Sequence, residues 1–152
     1  MQKLQKIKVL IMGCRGLGVE TAKNLILTGP ESVSIYDPTI VSIADLGANF
    51  YLKDSDVGNK TRAEASIDQL KELNPYVQTE VVDENQIEVD NFNVVCITEN
   101  LMGINKLIEL NEKCRQKGKG FILSENMGLA SYVFVDFGEQ HTIFDKNGEP
   151  TR

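Results

Sequence analysis

The sequence predicts an α/β domain: a Rossmann-like, mostly parallel sheet with flanking helices and a C-terminal antiparallel strand hairpin. Three observations carry that prediction. The hydrophobic period switches repeatedly between strand-like and helix-like along the chain. A glycine loop stands between the first strand and the first helix. The last two apolar runs follow one another with no helical pattern between them.

Ile7 to Met12 is short, rich in β-branched residues and stopped by Gly13, which reads as a buried strand. Gly18 to Leu27 follows with Val19, Ala22, Leu25 and Ile26 at helical spacing, and Gly29-Pro30 ends it. Val33 to Tyr36 is a second strand, closed by Asp37-Pro38. The three form a strand–helix–strand unit long enough for a right-handed parallel crossover. Ala44 to Phe50 reads as a short helix. Thr61 to Leu73 is a helix with capping-box spacing at Thr61 and Glu64, and Ala63, Ile67 and Leu70 line one face. Asn74-Pro75 stops it. Val77 to Val82 and Asn93 to Thr98 are the third and fourth strands. A helix runs from about Leu101 to Lys117, with Gly118 past its end. Phe121 to Ser124 is the fifth strand. Tyr132 to Phe137 and His141 to Asp145, joined by Gly138-Glu139-Gln140, are expected to pair as the hairpin.

Composition narrows the function classes. The 152 residues suffice for one domain with one core, and 41% hydrophobic with 25% charged residues excludes wholesale disorder. A net charge of −6 opposes nucleic-acid binding through phosphates. No apolar run approaches the roughly 18 residues of a membrane-spanning helix. Cys14, Cys96 and Cys114 are odd in number and widely spaced, which suits free thiols in a reducing compartment. Cytoplasmic or nuclear residence is the expectation, with neither membrane nor nucleic acid as partner. One domain spanning 1–152, cut from a longer chain, is the expected organisation.

The loop Gly13-Cys14-Arg15-Gly16-Leu17-Gly18 has the placement of a nucleotide-binding turn, and Asp37 ends the next strand 24 residues past Gly13. In such loops the first glycine makes the tight turn and the third allows close helix–strand packing. The second, where Arg15 stands, lets phosphate approach bare backbone. Arg15 either contacts a phosphate through its guanidinium or obstructs the approach, and the steric reading is the stronger because the side chain is certainly there. Asp37 either accepts from a ribose hydroxyl or simply ends its strand before Pro38. Cys14 is read as a small filler in a tight loop. With His141 the single histidine and no clustered cysteines, spacing gives no metal site and no Cys–His nucleophile.

Longer stretches resemble a known family. Gly13 to Asn24, then Asp45-Leu46-Gly47-Ala48-Asn49-Phe50, Asp56-Val57-Gly58, Arg62-Ala63-Glu64-Ala65 and Glu72 to Val77 look like the ThiF-like adenylation fold of ubiquitin-like-protein activating enzymes. Phe134 to Glu139 and Asp145 to Pro150 are similar to its ubiquitin-activating branch. That family pairs two copies of the fold. One binds ATP and Mg²⁺ and adenylates the modifier's C-terminal carboxylate, the other is an inactive partner, and a separate domain carries the thioester cysteine.

The resemblance implies the inactive half, because the positions of the active copy are altered. Arg15 replaces a glycine. Ala48 falls where active copies carry an arginine, and a methyl group donates no hydrogen bond. The active lysine maps near Thr61 or Arg62, and the magnesium-binding aspartate corresponds to Glu99. Charge stabilisation in adenylyl chemistry needs several groups held together, and the set is broken. No residue is therefore expected to be catalytic, and none to hold a metal. Gly13, Arg15, Gly16, Gly18 and Asp37 are expected to form a vestigial cofactor loop, with ATP and Mg in the partner half. An apolar patch of Leu46, Phe50 and Tyr51 is expected to meet the active half-domain, and ubiquitin or a ubiquitin-like modifier to be met only through the parent enzyme. Two alternatives are the matching subunit of a SUMO-activating heterodimer and a nicotinamide-dependent oxidoreductase domain using the glycines with Asp37.

Overall fold

A computed structural model of the chain describes residues 3–142. Its order is β1 (Lys8–Met12), α1 (Gly16–Thr28), β2 (Ser32–Tyr36), α2 (Ile43–Leu46), α3 (Arg62–Glu72), β3 (Gln78–Val81), β4 (Val94–Ile97), α4 (Ile104–Gln116), β5 (Gly120–Met127) and β6 (Ala130–Asp136). The six strands form one sheet in the order β3-β2-β1-β4-β5-β6, with β1 to β5 parallel and β6 antiparallel to β5. The strand order reverses between β1 and β4, and that reversal opens a crevice beyond the carboxyl ends of those strands.

Both faces of the central strands are buried, which is why they are nearly continuous in apolar residues. One face packs Val9, Ile11, Val33 and Ile35 against Val19, Ala22 and Ile26 of α1 and Ala63, Ile67 and Leu70 of α3. The other packs Leu10, Met12, Val95, Ile97 and Phe121 against Leu107 and Cys114 of α4. The helical face predicted for Thr61 to Leu73 is thus the buried one. Its capping box forms as well: the Glu64 amide donates to Thr61 Oγ1 at 3.2 Å and the Thr61 amide donates to Glu64 Oε2 at 2.9 Å.

The hairpin lies one strand earlier than its predicted position. β5 continues through Glu125-Asn126 to Met127, and the two residues Gly128-Leu129 turn it directly into β6. Gly128 has φ +65° at the first central position, as a type II′ turn requires. The strand outruns its predicted end at Ser124 because Glu125 and Asn126, past the last residue paired to β4, are held by β6 alone. His141 and Thr142 lie outside any strand, and the rest of the predicted strand to Asp145 falls outside the described residues. Two helix starts also shift. α1 begins at Gly16, and α4 begins at Ile104, after a turn in which the Gly103 amide donates to Asn100 Oδ1 at 2.7 Å. The helix predicted for Ala44 to Phe50 is the single turn α2, after which the chain bends at Gly47.

Candidate functional site

The crevice at the strand reversal is bounded by the glycine loop, the chain after α2, the end of β4 and the β5–β6 hairpin. It is a cleft of about 400 Å³ lined by Arg15, Gly16, Leu17, Ala48, Thr98 and Glu99, with Glu125, Asn126 and Gly128 at its rim. Two glycines are imposed by the backbone here. Gly13 has φ +100°, and a Cβ on it would stand 2.8 Å from Glu99 Cβ. A Cβ on Gly18 would collide with the Gly13 carbonyl oxygen. Thr98 fastens the same carbonyl, its hydroxyl donating to Gly13 O at 2.9 Å. The loop therefore turns at Gly13 and packs α1 onto β1 at Gly18, as its spacing implied.

Arg62 is buried beside the cleft and bonded to Glu99 of its lining. Its side chain is only 8% exposed although it opens α3, and it faces three carboxylates from three different elements. Nη1 donates to Glu99 Oε2 at 2.8 Å and lies 3.5 Å from Asp37 Oδ2, while Nη2 lies 3.0 Å from Asp45 Oδ1. Arg15 Nε approaches the same Asp45 oxygen at 3.4 Å from the solvent side. Both contacts to Asp45 Oδ1 lie off the hydrogen-bond direction, and Arg62 Nε has no hydrogen-bond partner among the described residues. They are ion pairs rather than directed bonds. Of the two positions where the active lysine could map, Thr61 is a helix cap and Arg62 is buried, donating to Glu99 of the cleft lining.

Each carboxylate is also held by its own surroundings. Asp37 is buried; Oδ2 accepts from the Cys14 amide at 2.8 Å and Oδ1 from the Thr39 amide at 2.9 Å. Both oxygens are thereby committed to the chain. Asp45 Oδ2 accepts from the Ser42 amide at 2.9 Å and the Ser42 hydroxyl at 2.7 Å. Burial pushes the Asp45 pKa up, but the Ser42 bonds and the Arg62 guanidinium outweigh it and hold the carboxyl below its ordinary value. For Arg62 burial works against the charge, and Asp45, Asp37 and Glu99 together more than offset it, so its pKa is raised. The guanidinium is a permanent cation here.

The surrounding loop is tied together by Asn49, which is fully buried. Its Nδ2 donates to Cys14 O at 3.0 Å and Ser66 Oγ at 2.9 Å, and its Oδ1 accepts from the Tyr51 amide at 3.1 Å. Sequence reasoning missed Asn49 and the convergence on Arg62. A legible signal existed for the second: Arg62 precedes Ala63 on the apolar side of an amphipathic helix, where a charge needs a partner. Cys14 is fully buried, and burial chiefly pushes its thiol up to about 12. Of the predicted interface residues, Phe50 is 62% exposed with Lys23 Nζ 5.7 Å from its ring centroid, Leu46 is half-buried, and Tyr51 is buried in the core beside α3. Among the described residues no group of three His, Cys, Asp or Glu side chains is placed to hold a metal ion, and no helix is long and apolar enough to cross a membrane.

A mostly parallel sheet with this strand order and a glycine loop at its reversal defines a Rossmann-like domain. The chain belongs to the ThiF family, which matches residues 1–144. It is 40% identical over 149 residues to "Ubiquitin-activating enzyme E1 1" of Candida albicans (strain WO-1), covering 98% of this chain and 14% of that protein. It is 38% identical over 151 residues to the human "Ubiquitin-like modifier-activating enzyme 1", again with 98% and 14% covered. The chain thus corresponds to one small part of these multidomain relatives. Among solved structures it superposes on E. coli MccB, solved with succinimide, with a TM-score of 0.77 at 17% identity, covering 91% of this chain and 43% of MccB. That likeness concerns the fold alone.

Proposed function

We propose that this domain is the non-catalytic adenylation half of a ubiquitin-activating enzyme and supports ATP-dependent adenylation and thioester transfer carried out elsewhere in that assembly. The observation that carries this reading is the position of Arg62. A working nucleotide site presents open backbone amides, a ribose acceptor and mobile cations to a polyphosphate. Here the cation is already neutralised by Asp37, Asp45 and Glu99, from 2.8 to 3.5 Å away. Asp37 is spent on the Cys14 and Thr39 amides. Three carboxylates against Arg62 and Arg15 leave the cluster net negative, which repels phosphate. Ala48 adds only a methyl group to the wall. The residues present do not fit ATP with Mg²⁺.

The role that remains is architectural: the domain packs against the active adenylation half through a surface that includes Phe50, and the modifier, taken as ubiquitin, engages the parent enzyme. Titration calorimetry with Mg-ATP, paired with thermal shift, tests the reading. No saturable heat and no shift in Tm are expected. Micromolar binding of Mg-ATP, lost on substitution of Arg15 or Glu99, would overturn it.

A further inference from the structure

Residues 39–61, between β2 and α3, lie outside the six-stranded sheet and bury polar side chains while exposing apolar ones. Asp45, Asn49 and Asp56 are 0%, 0% and 4% exposed, whereas Ile40, Ile43 and Phe50 are 49%, 77% and 62% exposed. A buried polar group gains nothing by leaving water and is held only by the bonds it makes. Val41, Tyr51 and Leu52 supply the buried apolar surface of the segment.

The bonds of this segment fall into two groups. The first closes it on itself. At its neck the Arg62 amide donates to Thr39 O, the Val41 amide to Lys60 O and the Gly58 amide to Val41 O, each at 2.9 Å, and Ile40 bridges antiparallel to Thr61. Within it the Ser42 amide donates to Asp45 Oδ2 and the Lys53 amide to Asp56 Oδ2, each at 2.9 Å. The second group crosses to the rest of the domain. Asn49 Nδ2 donates to Cys14 O and to Ser66 Oγ, and Gln69 Nε2 donates to Tyr51 O at 3.0 Å. Asp45 Oδ1 faces Arg62 Nη2 without a directed bond. A segment with joined ends, bonded mostly within itself and fastened by a few side chains, is an Ω-loop on a large scale, and such units open below the free energy of global unfolding.

We propose that residues 39–61 form a strap that swings off the glycine loop as one unit, about its neck, while the sheet stays folded. The motion breaks the Asn49, Gln69 and Asp45 contacts and keeps the neck. Ala48 of the strap lines the cleft, so the cleft widens as the strap leaves. Cys14 loses its cover in the same motion: its carbonyl is bonded to Asn49, and its side chain packs in the same core cluster as Tyr51. The inference does not rest on the reading of the cleft as a vestigial site.

Alkylation of the full chain by iodoacetamide across a urea series, with the labelled cysteine identified by mass spectrometry, tests this. Cys14 is expected to react at urea concentrations that leave Cys96 of β4 and Cys114 of α4 protected. Over the same range trypsin should cut after Lys53 or Lys60 while Lys106 and Lys113 of α4 resist. Asn49→Ala removes both of its bonds to the domain and should speed Cys14 labelling at low urea by roughly ten- to a hundredfold. If that variant does not fold, Gln69→Ala, which loses only the bond to Tyr51 O, should speed it by a smaller factor. Leu107 is buried under α4 on the opposite face of the sheet. Leu107→Ala should bring Cys96 and Cys114 labelling to lower urea and leave the low-urea rate of Cys14 unchanged. Reaction of all three thiols at one urea concentration would overturn the proposal. So would a Cys14 rate indifferent to the strap substitutions, or one raised as much by Leu107→Ala as by Asn49→Ala.

Discussion

Arg62 Nη1 lies 2.8 Å from Glu99 Oε2, joining the first residue of α3 to the end of β4 across 37 residues of sequence. The same guanidinium reaches Asp45 and Asp37, so one side chain ties together four segments that border the cleft. A buried cation of this kind contributes little relative to a well-packed apolar core. Its loss is costly because it strands the charges around it.

Arg62→Met therefore leaves Asp37 and Asp45 buried without their countercharge, and the expected loss is about 3–5 kcal/mol of unfolding free energy. Arg62→Lys keeps the charge but lacks the planar fork that serves three carboxylates, so it should recover only part of the loss. Urea denaturation of the three proteins side by side measures both values.

Asp45 has its folded pKa below the ordinary 3.8. A depressed carboxylate contributes stability that is fully present above its unfolded pKa and lost as pH falls through the folded one. The unfolding free energy should hold near neutrality and decline below about pH 3.8. Asp45→Asn should be less stable at pH 7 and show a shallower decline in acid. Urea midpoints recorded from pH 7 downward give the comparison.

The glycines make contrasting predictions. Gly18→Ala drives a Cβ into the Gly13 carbonyl, a contact between backbone groups that cannot rotate away, and should cost about 1–3 kcal/mol. At Gly47 the nearest atom to an added Cβ is 3.7 Å away and φ is −77°, so Gly47→Ala should be neutral or slightly stabilising. Thermal melts of the two variants distinguish a packing requirement from a merely flexible residue.

The thiols should be silent in the folded protein. Burial first raises Cys14 to about 12, and Cys96 and Cys114 to about 11. A disulfide reagent at pH 8 should titrate none of them until denaturant is added. The sign for stability is opposite to that of Asp45. A raised thiol pKa gives stability that is present below the ordinary 9.0 and lost as pH climbs through the folded values.

The fold was legible because its evidence is local. β1, the glycine loop and the face of α3 each announce themselves within about a dozen residues, through period, turn chemistry and capping. The capping box at Thr61 and Glu64 formed as written. The hairpin was misplaced because Glu125-Asn126, past the predicted end of the fifth strand at Ser124, carry no apolar alternation, and only the pairing with β6 makes them strand. The site was half legible. The glycines and Arg15 could be read from spacing, yet Asp37, Asp45, Arg62 and Glu99 are far apart along the chain and meet only when β1 and β4 are adjacent. Asn49 gave no signal at all, since a buried amide serving two loops looks like any polar residue between two helices.

Arg62 is attached to the fold by its own backbone, and that separates it from any dissolved counter-ion. A bound metal can be stripped by a chelator or diluted away, and its occupancy follows the composition of the surrounding fluid. A tethered guanidinium does neither: its local abundance beside Asp37, Asp45 and Glu99 is set once, when the chain folds.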